Sequence, residues 1–147
     1  MVSASLIAVV VVCLGPILRS QTTKTYSARL SPVPIDITMQ QIIAGSGSVT
    51  ATLAGNKLTI TGAYDGLRSP ATIAQIHRAQ MGVRGPVFPG LDLKVSGGTN
   101  GTIAGAFTLT PMQVTDLEKG WLYVQLHSER APDGNLWGWL LLQENRK

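Results

Sequence analysis

The chain has 147 residues, 12 basic against 8 acidic, for a formal net charge of +4. That length fits one domain built on a single core. The basic residues, among them Lys57, Arg68, Arg78, Arg84, Lys94 and Arg130, are scattered and nowhere interleave with aromatics, which argues against nucleic-acid binding and leaves only a mild preference for anionic surfaces.

Residues 6–14 form an uninterrupted apolar run, including Val9, Val10, Val11 and Val12. It is shorter than the roughly 20 residues of a comfortable membrane span and has the length of a signal-peptide core. Residues 1–20 are therefore expected to be a signal peptide or membrane anchor. They would carry a domain at 23–147 to the periplasm, the extracellular space or the outer side of a membrane, with membrane contact through residues 1–18. The one cysteine, Cys13, lies inside this run, so the domain after it has no disulfide and no thiolate metal site.

From residue 22 onward the pattern alternates. Tyr26, Ala28 and Leu30 against Ser27 and Arg29 read as a half-buried strand that stops at Ser31-Pro32-Val33-Pro34. Val49, Ala51 and Leu53 mark a second strand, and Leu58, Ile60 and Tyr64 a third. Gly55-Asn56 between them is a hairpin turn, because both residue types tolerate positive φ. Further strands are expected at 73–79, 91–95, 102–110, 121–128 and 136–143, with Pro132-Asp133-Gly134 as the turn before the last. Ser96-Gly97-Gly98-Thr99-Asn100-Gly101 reads as a mobile hairpin tip. One helical signal interrupts the series. Thr110-Pro111-Met112-Gln113 combines an N-cap, a proline at the first helical position and a capping-box glutamine, with Gly120 to end the helix near 111–119. About eight short strands with one short helix predict an all-β fold, a single antiparallel β-sandwich or barrel.

Several of these elements together resemble the CHRD domain, a module first noticed in chordin and common in exported bacterial proteins. They are Gly45-Ser46-Gly47, Ile76-His77 with Gly82, Gly85, Pro86 and Val87, the run Gly105-Ala106-Phe107-Thr108-Leu109-Thr110, Leu117 with Gly120, Leu122-Tyr123-Val124, His127, and Pro132-Asp133-Gly134 with Gly138. The chain departs from the family where a second histidine is common, at Gln75, and where a polar ending is common, at Trp137 and Trp139. The resemblance implies a non-catalytic binding or assembly module with a protein partner or a second copy of itself.

His77 and His127 stand at alternate-face positions of two such strands, with Gln75 and with Tyr123 and Gln125 respectively. Two imidazoles in reach of each other could bind copper or zinc, with Asp65, Glu129 or Asp133 completing the ligand set. The competing reading makes them structural, tied to loop carbonyls or to each other. No carboxylates pair in strand register, and Ser128 faces away from its neighbour His127, so no enzymatic activity is expected.

Trp121, Tyr123, Trp137 and Trp139 crowd the last hairpin and are the candidate partner-binding residues, since such side chains anchor interface centres. If Leu136, Gly138 and Leu140 line the core, Trp137 and Trp139 face outward; the opposite register buries them. A further reading, an accessory subunit of a periplasmic or membrane-bound redox complex, draws on export, the anchor and this apolar hairpin.

Overall fold

The computed structural model describes residues 21–144. The apolar run, and with it the expected signal or anchor helix, lies outside the described residues. Among the described residues no helix is long and apolar enough to cross a membrane.

The elements are β1 (Thr23–Pro32), β2 (Ser46–Ala54), β3 (Lys57–Asp65), β4 (Ala71–Arg78), β5 (Val87–Val95), β6 (Gly101–Thr108), α1 (Pro111–Glu118), β7 (Leu122–Ser128), β8 (Ala131–Trp139) and β9 (Leu141–Leu142). Eight strands close an antiparallel barrel in the order β1-β2-β3-β6-β5-β4-β7-β8, β8 returning to β1. Closure removes the sheet edges that would otherwise invite pairing with other chains. The short β9 continues β8 along β1.

Period-two alternation decides which side chains enter the barrel. Tyr26, Ala28 and Leu30 from β1, Val49, Ala51 and Leu53 from β2, and Leu58 and Ile60 from β3 are all buried in one core. At the β2–β3 turn only Gly55 takes positive φ, +64°, so this is a turn with glycine in the first central position, and Asn56 supplies no left-handed conformation. Helix α1 starts as expected: the Thr110 hydroxyl accepts from the Gln113 amide at 3.3 Å while Gln113 Oε1 accepts from the Thr110 amide at 2.8 Å. It carries the chain from β6 to β7, past β5 and β4, and sends Leu117 into the barrel core.

Two expectations need correction. Segment 96–101 is pinned at three points: the carbonyls of Gly97, Gly98 and Thr99 accept from Tyr64 Oη, the Ala71 amide and the Leu67 amide. Pro132-Asp133-Gly134 is no hairpin turn but lies within β8. The turn is Glu129-Arg130, between the paired Ser128 and Ala131. Because Leu126 pairs with Leu136, the single residue His127 faces a bulge of residues 132–135, and that bulge sets the register of everything after it. Gly134, at φ +126°, sits in the bulge where its missing side chain leaves room for Gln125. The outcome is that Leu136 and Leu140 enter the core, while Trp137 and Trp139 face outward.

Candidate functional site

Outside the barrel, across β4, β7 and β8, lies a second buried cluster. The pairs Gln75–Gln125, His77–Tyr123, Tyr123–Trp139 and Gln125–Trp137 put these side chains on one outer face. Two segments cover it. Residues 33–43 contribute Val33 and Ile43, with Met39 and Ile42 at the margin. Segment 79–86 is clamped by hydrogen bonds: Trp139 Nε1 donates to the Ala79 carbonyl at 3.0 Å, and the Gly85 amide donates to Tyr123 Oη at 3.0 Å.

The outward orientation of the tryptophans therefore does not make an open aromatic surface. Trp137 and Trp139 are each only 9% exposed, and Tyr123 is wholly buried, so Tyr123 can meet no partner while its cover is in place. The rings pack on one another, Tyr123 to Trp139 at 4.7 Å and Trp137 to Trp139 at 4.8 Å between centroids. Trp121 stands apart from them. It is half-buried beneath two cations, with Lys119 Nζ at 4.7 Å and the Arg78 guanidinium at 5.5 Å from its ring.

His77 and His127 are brought together, with ring centroids 6.2 Å apart, and His77 also stacks on Tyr123 at 5.0 Å. Each δ nitrogen meets a backbone carbonyl: His77 that of Gly85 at 3.0 Å, His127 that of Pro132 at 2.7 Å. A carbonyl only accepts, so both δ nitrogens carry the proton and both ε nitrogens keep a lone pair in the neutral ring. Those ε nitrogens are buried and have no hydrogen-bond partner among the described residues. Burial holds His77 below the ordinary imidazole range, the charges of His127 and Arg84 acting in the same direction and the Gly85 hydrogen bond against it. Among the described residues no group of three or more His, Cys, Asp and Glu gathers, so Asp65, Glu129 and Asp133 do not complete a ligand set around the pair.

The tryptophans border a groove open to solvent. Strand β1 meets β8 only at Ser31–Trp137 and Pro32–Leu136, and β9 only at Tyr26–Leu142 and Ser27–Leu141. Over the seam between these contacts runs a groove of about 310 Å³, lined by Trp137, Gly138 and Trp139, by Met81 and Leu141, and by the polar side chains Ser27, Arg29, Ser31 and Gln143. Met81 is 61% and Leu141 40% exposed. Arg29 is the only charged residue of the lining and, among the described residues, has no carboxylate partner. Along the chain Arg29 reads as an outward residue of β1 and nothing more. The seam on which it lies depends on which strand closes the barrel, which no local pattern encodes.

No curated protein and no solved structure matches the chain. The model of the CHRD domain matches residues 26–140, which takes in the whole barrel from within β1 to the end of β8, helix α1 included. The chain belongs to the CHRD domain family.

Proposed function

We propose that this chain is an exported, non-catalytic binding module whose contact site is the groove over the β1–β8 seam. The observation that carries the reading is the composition of that groove: two tryptophan edges held from behind, the apolar side chains of Met81 and Leu141 beside them, a polar margin of Ser27, Ser31 and Gln143, and one cation, Arg29, with no carboxylate partner among the described residues. Rigid aromatic anchors with a polar rim are the usual make-up of an interface centre. The occupant is an extended segment of a partner protein that carries an acidic side chain among apolar ones. Its carboxylate reaches the Arg29 guanidinium, and its apolar side chains lie on Trp137 and Trp139. The buried ε nitrogens favour a binding role over an acid–base one, because neither can reach a substrate proton from the barrel surface.

The test is a fluorescence titration of the full chain with two peptide sets, alternating apolar residues with aspartate or with lysine. Tryptophan emission reports occupancy, since no protein tryptophan other than Trp121 lies outside the site. Saturable binding of the aspartate set is expected, weakened at least tenfold by Arg29→Glu and by Met81→Lys. Binding of both sets alike, or binding indifferent to both substitutions, overturns the reading. So does a dimer that fills the groove with a second copy and falls apart on Leu141→Lys.

A further inference from the structure

Neither His77 nor His127 lines the groove; His77 stacks on Tyr123, which in turn packs on both tryptophans. We propose that His77 and His127 hold one soft monovalent d10 cation, copper(I), between their ε nitrogens.

Both imidazoles are more than nine-tenths buried, at 6% and 8% exposure, and both present an ε nitrogen without a hydrogen-bond partner. More than nine in ten buried polar groups in folded proteins are satisfied, so two unsatisfied acceptors on neighbouring rings call for an explanation. The tautomer is already the one a metal requires. The Gly85 and Pro132 carbonyls hold both δ protons in place, which leaves the ε lone pairs free and orients the rings, as outer-shell carbonyls do for metal-bound imidazole.

The two rings are neighbours, with centroids 6.2 Å apart and planes 28° from parallel, close enough for one ion with metal–nitrogen bonds of about 2.0 Å to be shared between them.

The donor set selects the ion. Zinc and copper(II) take three or four protein ligands, and no third His, Cys, Asp or Glu joins the pair among the described residues. Hard cations need oxygen ligands, and no carboxylate gathers with the pair among the described residues. A d10 monovalent ion is satisfied by two nitrogens. It also brings one charge instead of two into an apolar site, which keeps the desolvation cost down. The ring of Tyr123, 5.0 Å from that of His77, sets an aromatic face beside that charge. Met39, on the covering segment 33–43, packs against the same aromatic cluster and brings a thioether, the soft ligand that favours copper(I), to its margin.

The test uses the full chain carrying Cys13→Ser, so that the one thiol does not compete. Silver(I) serves as the redox-inert probe, copper(I) is offered without oxygen against a chromophoric chelator, and zinc(II) is the control. One equivalent of silver(I) and of copper(I) should survive gel filtration, and zinc(II) should not. In 15N spectra both ε nitrogens should shift while both δ nitrogens stay protonated. His77→Asn and His127→Asn each keep a donor for the carbonyl and remove the ε nitrogen, and each should lower retention at least tenfold with near-UV circular dichroism unchanged. Should an Asn variant fail to fold, the ε-nitrogen shifts of the unsubstituted histidines decide the matter alone. No stoichiometric retention overturns the proposal and leaves a buried water as the bridge between the rings. Retention that persists when both histidines are replaced, or zinc bound as tightly as silver, overturns it equally.

Discussion

Replacing Tyr123 by Phe isolates one hydroxyl at the junction of barrel and cover. Tyr123 Oη accepts from the Gly85 amide at 3.0 Å and donates to the Gly85 carbonyl at 3.2 Å. Phe keeps the ring, so the packing on His77 at 5.0 Å and on Trp139 at 4.7 Å survives. What is lost is the hydrogen-bond pair. The carbonyl still accepts from His77, but the amide has no other protein partner. A buried donor left unmet costs about 1–3 kcal/mol, and Gly85 is half-buried, so water recovers part of it and the low end applies, about 1 kcal/mol. For a chain of this length that lowers the melting temperature by about 3–4 °C. The loss should also be local: amide exchange should speed up across residues 79–86 before it does in β2 or β3. Replacing an idle hydroxyl at a fully buried site would be neutral or stabilising. An unchanged melting temperature with unchanged exchange in 79–86 would therefore refute the assignment of Gly85 as the clamp of that segment.

Three other outcomes follow from the same geometry. Gly138→Ala would place a Cβ 2.4 Å from the Arg29 carbonyl across the seam, so β1 and β8 must part; a loss of about 1–3 kcal/mol in denaturant unfolding is expected, together with altered tryptophan emission. Thr110→Ala removes one half of the capping box and should cost about 1 kcal/mol, read by thermal melting, while Thr110→Ser should cost little. In metal-free protein His77 is held below the ordinary imidazole value, so the folded state binds fewer protons than the unfolded one in acid. Stability is then full above the unfolded value of about 6.5 and is lost as pH falls through it toward the lower folded value, and His77→Asn should flatten that limb of a stability-against-pH curve.

Much of the barrel was legible along the chain because its signals are short-range. Alternation in β1, β2 and β3 sorts inner from outer residues without reference to any partner strand, and the Thr110–Gln113 capping box is complete within four residues. The facing of His77 and His127 away from Ile76 and Leu126 followed from the same alternation. The neighbouring placement of their rings did not, for it rests on the pairing of β4 with β7.

Two long-range events decided the rest. The bulge at residues 132–135 changed the count between the histidine segment and the last strand, and only the paired strand reveals whether extra residues fall in a turn or inside a ladder. It sent Trp137 and Trp139 outward. The cover came from residues 33–43 and 79–86; Pro32 and Pro34 mark the end of a strand where the first begins but do not say which face it crosses. Local chemistry thus determined the strands, the helix cap and the sidedness of each residue, since these depend on backbone geometry a few residues long. Whether an outward-facing aromatic meets solvent or another part of its own chain depends on contacts between residues about a hundred positions apart, and that was left to the tertiary structure.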